Sequence, residues 1–257
     1  MERSSSLELT GVALITGAGS GIGEACAHAF AREGIKAAVL CDVNSAGLEK
    51  VATGLVTTAT NPRFETLTLV VDVSKEAECQ RMVNEAVARF GRIDYAVNCA
   101  GITRPRCTVD EYLTAAYQAI IDVNLSGVFY CMRAELAQML KQEPSAAASI
   151  TNPNIKGSRG SIVNIASICS VVGVPGGSAY VASKHGVIGL TKTAAAEHAA
   201  NEIRINAVLP GFIRTPLMVT PIQLEALDRI AKYQTPARRS GEAEEVAAIV
   251  VFQSSPR

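Results

Sequence analysis

The chain has 257 residues, and its 24 lysines and arginines balance 24 aspartates and glutamates, which argues against a nucleic acid or an acidic membrane as partner. Hydrophobic residues make up 48% of the sequence and charged residues 19%, as is typical of a globular protein with a sizeable core. No apolar stretch approaches the roughly 18 to 20 residues that cross a bilayer, and the N-terminus lacks the apolar run of a secretory leader, so we expect a cytoplasmic protein.

Short apolar runs alternate with longer amphipathic segments along the chain. This alternation predicts an α/β fold in which one doubly wound parallel sheet is covered by helices on both faces. The six predicted strands cover residues 12–16, 36–41, 66–71, 93–98, 161–166 and 203–209. The predicted helices cover residues 21–33, 44–57, 75–90, 110–141 and 178–200.

The cysteines and histidines do not form a metal-site pattern. The seven cysteines are dispersed without a Cys-x-x-Cys pair, and most lie in apolar segments, where a thiol behaves as a small hydrophobic group. The three histidines lack the spacing that would place two imidazoles on one helical face. We therefore expect neither a metal nor disulfide bonds.

A glycine-rich turn, TGAGSGIG at residues 16–23, joins the first predicted strand to the first helix. Glycines at such a junction let the backbone approach a pyrophosphate, whose charge is stabilised by free N–H groups and the helix dipole. The spacing departs from Gly-x-Gly-x-x-Gly, and a glycine turn alone serves backbone geometry as often as it serves a ligand. The turn indicates a nucleotide site only together with other residues.

Asp42 follows the second predicted strand, about 20 residues after the glycines, where an acid accepts hydrogen bonds from both ribose hydroxyls of adenosine. A 2′-phosphate would be repelled there, and neither Ser20 nor Val43 supplies a positive charge to hold one. This pattern favours NAD over NADP. The alternative interpretation of Asp42 is a helix cap or an ordinary loop acid.

Tyr180 and Lys184 are four residues apart in a predicted helix, so their side chains share one face. An ammonium beside a phenol is expected to lower the phenol pKa, which is normally about 10, and to make the tyrosine a proton acceptor nearer neutrality. Ser167 follows the fifth predicted strand, where its hydroxyl could donate to a carbonyl oxygen. Asn124 is an amide among apolar neighbours, which fits either a functional group or a residue that bridges a helix kink.

Two segments interrupt the alternation of strands and helices. Residues 143–159 are rich in Pro, Ser, Asn and Gly without periodicity, which predicts an exposed mobile loop. Residues 211–240 contain three prolines around a short apolar helix at 222–230. This second segment fits either a lid over a substrate pocket or a surface excursion without function.

Together with further motifs, these residues form a set that resembles a known family. The set consists of TGAGSGIG, Asp42, Asp72-Val73, Asn98-Cys99-Ala100-Gly101, Asn124, Ser167, Tyr180-x-x-x-Lys184 and Pro210-Gly211. Its order and spacing resemble those of the short-chain dehydrogenase/reductases from about residue 7 to 252. The resemblance implies one NAD(P)-binding Rossmann domain over residues 1–257, with a mobile loop at 143–159 and a substrate lid at 211–240. Relatives of this type have one more parallel strand after the last helix, so the last strand is expected to be missing here.

The resemblance also implies roles for individual residues. The proton-relay tetrad would be Asn124, Ser167, Tyr180 and Lys184. The cofactor would contact Gly17, Ser20, Gly21, Ile22, Gly23, Asp42, Asp72, Val73, Asn98, Ala100, Gly101, Tyr180, Lys184, Pro210, Ile213 and Thr215. The implied partners are a small alcohol or ketone and further copies of the chain, as a homodimer or homotetramer.

The sequence therefore predicts an NAD(H)-dependent oxidoreductase that interconverts a secondary alcohol and a ketone by hydride transfer, with an apolar secondary metabolite as the expected substrate. Two other functions stay open. The same fold could support a non-redox isomerase, dehydratase or cyclase, in which the nucleotide is structural. The chain could also be a non-catalytic nucleotide-binding protein, although such a protein would not need Tyr180 paired with Lys184.

Overall fold

The computed structural model describes residue 7 and residues 9–145, 157–217 and 221–255, with only the backbone of residues 221–223. Most of the predicted loop at 143–159, residues 146–156, lies outside the described residues. Three residues of the predicted lid, 218–220, lie outside them as well.

Six parallel strands form one sheet in the described part of the chain. The strands are β1 (Val12–Thr16), β2 (Ala37–Asp42), β3 (Glu65–Val70), β4 (Tyr95–Asn98), β5 (Gly160–Ile165) and β6 (Ile203–Val208). Their order across the sheet is β3-β2-β1-β4-β5-β6, so the direction of the winding reverses between β1 and β4. The predicted α/β fold with a doubly wound parallel sheet is confirmed, and the carboxyl ends of β1 and β4 mark the place where such sheets bind ligands.

The described helices connect these strands. They are α1 (Gly21–Arg32), α2 (Ser45–Thr58), α3 (Glu76–Phe90), α4 (Thr114–Ile121), α5 (Gly127–Met139), α6 (Ser178–His198), α7 (Pro221–Gln234) and α8 (Ala243–Ser254). Local signals set several ends: the Asn44 side chain accepts a hydrogen bond from the Gly47 N–H at the start of α2, and Gly91 ends α3 in the left-handed region. Two short strands, β7 (Ile213–Arg214) and β8 (Gly241–Glu242), pair beside the main sheet.

The predicted helix at 110–141 differs from the structure in two ways. It begins only at Thr114, and a π-helical segment, Asp122–Ser126, separates α4 from α5. A π-helical turn contains one residue more than an α-helical turn and often occurs at functional sites. The apolar periodicity continues through the segment, so it could not be recognised from the sequence.

The core consists of two apolar layers, one on each face of the sheet. Val12 and Leu14 of β1 pack into the layer that contains α3, α5 and α6, while Ala13 and Ile15 pack into the layer that contains α1, α2 and α8. This division follows from the alternation of side chains along a strand. Among the described ranges, no helix combines the length and the apolar character that crossing a membrane requires.

Candidate active site

Two adjoining cavities open at the carboxyl ends of the strands. The first cavity has a volume of about 360 Å³ and the second about 240 Å³. The first is lined by Gly17, Ser20, Gly21, Ile22, Cys41, Asp42, Val43, Val71, Asp72, Val73, Cys99, Ala100, Gly101, Ile102, Val123, Thr215, Pro216 and Leu217. Five of these also line the second cavity, namely Ile22, Cys99, Gly101, Thr215 and Leu217. A ligand that extends from one cavity into the other would pass this shared wall.

The glycine turn forms one wall of the first cavity and tolerates no side chains at key positions. Gly17 has φ of +67°, and a Cβ there would lie 2.8 Å from the Ala100 nitrogen. A Cβ on Gly23 would lie 2.1 Å from the Gly17 carbonyl oxygen. Ser20 precedes α1 without a side-chain capping hydrogen bond. Backbone is thus presented to the cavity at the positive end of α1, which suits the pyrophosphate of a dinucleotide.

Asp42 lies at the end of β2, on the rim of the first cavity. Its carboxylate accepts hydrogen bonds from the Gly19 N–H (3.0 Å) and the Asn44 N–H (2.9 Å). These bonds orient the acid beside the glycine turn. The described lining of this cavity includes neither lysine nor arginine, so no side chain there would attract a 2′-phosphate.

Thr16 connects the glycine turn to the segment after β4. Its hydroxyl donates to the Val97 carbonyl (3.4 Å) and accepts from the N–H groups of Cys99 (3.2 Å) and Ala100 (3.3 Å). These three bonds satisfy buried backbone groups at the point where β4 ends. The Thr16 side chain therefore ties the part of the shared wall that contains Cys99 to β1.

The second cavity has a polar floor and largely apolar walls. Ser167, Tyr180 and Lys184 line the floor, together with Pro210 and Ile213 of the predicted cofactor set. The Ser167 hydroxyl accepts from the Cys169 N–H (3.1 Å) at the start of a short helical turn and lies close enough to the Tyr180 hydroxyl to lower the pKa of that phenol. Two hydroxyl groups thus lie side by side where a carbonyl oxygen could accept from both.

The ionisation of Tyr180 differs from the prediction. Burial raises the pKa of this phenol above its ordinary value of about 10, and the hydrogen bond from Ser167 opposes that rise only in part. Lys184 is itself buried: its Nζ donates to the Ile165 carbonyl (2.7 Å) and lies 5.8 Å from the Tyr180 ring centroid. The predicted lowering of the phenol pKa by Lys184 is therefore not found: desolvation is the largest contribution, and the contribution that lowers the pKa comes from Ser167.

Burial also acts on the lysine. Removal from water lowers the pKa of Lys184 to about 8, because the charged form loses hydration. The ammonium still predominates at neutral pH, held by the carbonyl of Ile165 at the end of β5. Lys184 and Tyr180 come from successive turns of α6, as their spacing predicted.

Asn124 is completely buried within the π-helical segment. Its Oδ1 accepts from the Ile102 N–H (2.8 Å), and its Nδ2 donates to the Ile102 carbonyl (2.9 Å) and to Ser183 Oγ (3.4 Å). A Cβ on Gly101 would lie 3.4 Å from Asn124 Oδ1 and 3.8 Å from Lys184 Nζ. The amide therefore lies at an irregularity of the helix, as one interpretation had it, and also adjoins the lysine. We call Asn124, Ser167, Tyr180 and Lys184 the cavity cluster.

Two predicted cofactor residues line neither cavity. Gly23 packs under the glycine turn, and the Asn98 side chain points into the core, where its Nδ2 donates to Glu135 (3.0 Å) and Asn164 (3.0 Å). Asn164 in turn donates to Thr191 (2.9 Å). We call Asn98, Glu135, Asn164 and Thr191 the core cluster. Asn98 supports the strand that precedes the shared wall and does not reach the cavity itself.

Glu135 was not singled out in the sequence, although it is completely buried on α5. Desolvation raises the pKa of this carboxyl to about 7, opposed by the hydrogen bond from Asn98. Its Oε1 and the Asn98 Oδ1 accept no hydrogen bond from a described residue. The available signal was its helical spacing from the apolar residues Cys131 and Met139, four positions before and after it.

Comparison with known proteins identifies the family of this chain. The family model described as short chain dehydrogenase matches residues 11–223. The chain is 36% identical to short-chain dehydrogenase fogB of Aspergillus ruber over 98% of this chain and 92% of the relative. It is 37% identical to the cyclohexanol dehydrogenase of an Acinetobacter species over 94% of this chain and 86% of the relative.

A solved structure shows the same architecture. The crystal structure of levodione reductase superposes with a TM-score of 0.83 and 37% sequence identity, covering 95% of this chain and 90% of that one. Family membership implies a nicotinamide cofactor and explains why the two cavities adjoin. The chain belongs to the short-chain dehydrogenase/reductase family of oxidoreductases, with the Rossmann-type fold of that family.

Proposed function

We propose that this chain catalyses the NAD(H)-dependent interconversion of a secondary alcohol and a ketone. The observation that carries the proposal is the pair of hydroxyl side chains, Ser167 and Tyr180, that line a cavity sharing a wall with the glycine-turn cavity. One relative is named as a cyclohexanol dehydrogenase and one structural neighbour as a levodione reductase, and both names agree with this chemistry.

The residues of the first cavity fit a dinucleotide. Gly17, Ser20 and Ile22 would hold the pyrophosphate against α1, and Asp42 would accept from the ribose hydroxyls. The remaining contacts would come from Gly21, Asp72, Val73, Ala100, Gly101 and Thr215. When bound, a nicotinamide dinucleotide donates or accepts the hydride. The acid at the rim, and the absence of a basic residue from the described lining, support NAD over NADP.

The cavity cluster would handle the proton. Ser167 would donate a hydrogen bond to the substrate oxygen and hold it beside the Tyr180 hydroxyl. Because its pKa is raised, Tyr180 carries its proton at neutral pH and would give that proton to the oxygen of a ketone as it becomes an alcohol. The Lys184 ammonium, in the next turn of α6, would supply the replacement proton to the Tyr180 phenolate, and Asn124 would fix the backbone of Ile102.

The segment at 211–240 would serve as the lid of the second cavity. Leu217, and Leu227 of α7, line that cavity together with Ser167 and Tyr180. Such a segment excludes water from the reacting groups when it closes. The proposal includes self-association as a homodimer or homotetramer, for which the family resemblance is the support.

The proposed function is tested by following nicotinamide absorbance with cyclohexanone and NADH, and with cyclohexanol and NAD⁺. We expect turnover with NADH and a several-fold lower kcat/KM with NADPH. In Asp42→Ala the kcat/KM values for the two cofactors should differ less. Equal or better use of NADPH by the wild type would contradict the cofactor assignment. If no ketone or alcohol in a broad panel changes the absorbance while calorimetry shows NADH binding, a non-redox role replaces the oxidoreductase.

A further inference from the structure

The second cavity has an uneven distribution of charge. Its described lining includes three basic side chains, Arg104, Arg106 and Lys184, and neither aspartate nor glutamate. Lys184 is buried on the floor and engaged by the Ile165 carbonyl, whereas both arginines are exposed at the mouth. No hydrogen bond or ion pair joins Arg104 or Arg106 to another described residue. Their positive charge therefore faces the opening without compensation.

The backbone that carries these arginines is held in place. The Cys107 N–H donates to the Gly176 carbonyl (3.2 Å), which ties the segment after β4 to the loop before α6. Gly176 has φ of +75°, and a Cβ there would lie 2.9 Å from the Cβ of Arg106. The two segments thus lie against each other in the lining of the second cavity. Their packing presents Arg104 and Arg106 from a defined edge of the cavity.

The rest of the cavity wall is apolar. Val174, Val181, Phe212, Ile213, Leu217 and Leu227 line it between the mouth and the floor. Such a wall favours a ligand with a hydrocarbon or aromatic body. A purely apolar ligand, however, would make no use of the two guanidinium groups at the mouth, which an anionic group on the ligand could pair with.

We propose that the preferred substrate is an amphipathic ketone or alcohol with a carboxylate at the end remote from the reacting carbon. Its reacting oxygen would lie against Ser167 and Tyr180, its body along the apolar wall, and its carboxylate beside Arg104 and Arg106. Guanidinium groups pair with carboxylates through two parallel hydrogen bonds, which an ester or a methyl group cannot replace. The inference rests on the proposed function, because it assigns the substrate class of the same cavity.

The test compares two probes that share an aryl ketone and differ in charge, para-acetylbenzoate and its methyl ester. Calorimetry with NAD⁺-loaded wild type, which has no hydride to give to a ketone, should show on the order of ten-fold tighter binding of the acid, a modest preference because the arginines are exposed. The doubly substituted variant Arg104→Gln/Arg106→Gln should lose that preference by weakening the acid alone. Added salt should reduce the preference of the wild type.

Arg63→Gln is the matched control. Arg63 is exposed in the loop before β3, at the opposite end of the sheet, so its loss removes one positive charge without altering the cavity, the same change in charge as Arg104→Gln or Arg106→Gln alone. Restoring charge with Arg104→Lys/Arg106→Lys should recover part of the preference. Equal binding of acid and ester by the wild type, failure of both to bind, or a preference retained in the glutamine variant would each overturn the inference.

Reduction of cyclohexanone keeps this inference separate from the proposed function. If cyclohexanone is reduced but the acid is not preferred, the carboxylate site is refuted and the oxidoreductase stands. If the acid binds through the arginines but no ketone is reduced, the carboxylate site stands and the oxidoreductase is refuted.

Discussion

The cavity cluster and the core cluster contain similar side chains but differ in what surrounds them. Each includes a fully buried asparagine next to an ionisable group. Asn124 has both amide atoms bonded to the backbone of Ile102, while Asn98 and Glu135 each keep one oxygen without a described donor. Ser167, Tyr180 and Lys184 of the cavity cluster line space that a substrate can fill, while Asn124 lines neither cavity and the core cluster is buried.

The comparison shows that burial alone does not identify a catalytic group. Both clusters contain a strongly shifted pKa, with Lys184 lowered to about 8 and Glu135 raised to about 7, and in both the main cause is desolvation. Of these two residues, Lys184 lines a cavity and Glu135 does not. Substitutions in the cavity cluster should therefore change rates, and substitutions in the core cluster should change stability and its dependence on pH.

The largest expected effect is that of Tyr180→Phe. Removal of the hydroxyl eliminates the proton donor while the ring still fills its site, so kcat should fall by about a thousand-fold. The NADH dissociation constant, measured by fluorescence titration, should stay within a few-fold of the wild type. Glu135→Gln serves as the control, with kcat close to wild type. A Tyr180→Phe variant that turns over at a near-normal rate would refute the assignment of this hydroxyl.

Glu135→Gln should instead alter how stability depends on pH. The folded carboxyl has its pKa raised from 4.5 to about 7, so the folded state holds the proton more tightly than the unfolded chain. Wild-type stability should therefore fall as pH rises from about 4.5 to 7, by on the order of 3 kcal/mol for a shift of this size. Denaturant unfolding at pH 5 and pH 8 should show a much smaller fall in the variant. The same fall in both proteins would mean that Glu135 is ionised without penalty.

Asn124→Ala should affect both stability and rate. It removes two hydrogen bonds to Ile102 within a buried part of the helix, which should cost about 2 kcal/mol in the free energy of unfolding. Because Asn124 adjoins Lys184, kcat should also decrease, whereas Asn98→Ala should lower stability with a smaller change in kcat. If the two variants lose activity equally, the distinction between the clusters does not hold.

The smallest expected effect is that of Thr16→Val, which keeps the shape and removes the hydroxyl. The N–H groups of Cys99 and Ala100 lose their acceptor, so unfolding should become easier by about 1 kcal/mol, and KM for NADH should rise because both residues line the first cavity. Thr16→Ser retains the hydroxyl and should behave like the wild type. An unchanged KM in Thr16→Val would show that the shared wall does not depend on this side chain.

The parts of the site formed by local sequence could be predicted. The glycine turn and Asp42 follow adjacent strand ends, and the spacing of Tyr180 and Lys184 is that of one helical turn, so each could be recognised within a short window. The alternation of apolar strands with amphipathic helices likewise predicted all six strands of the sheet. Their boundaries shift by a residue or two, as usual for assignments from pattern alone.

What could not be predicted depends on contacts between distant segments. Asn98 bonds to Glu135, 37 residues away, because β4 packs against α5, and nothing in either segment alone indicates this pairing. The Tyr180 pKa follows from the groups that cover the ring, which a motif does not specify. The position of Arg104 and Arg106 at the mouth depends on the contact between Cys107 and Gly176. Each of these features arises from tertiary packing.

The π-helical segment affects the two clusters differently. Asn124 lies inside it, and Glu135 follows in the α-helix that continues from it. The wide turn absorbs one additional residue, so deleting Val123 would let the segment close to regular α geometry while α5 keeps its rotational phase. Glu135, twelve positions after Val123, would then stay beside Asn98, whereas Asn124 would lose the turn in which its amide bonds to Ile102. A deletion at this position would thus disturb one cluster and spare the other.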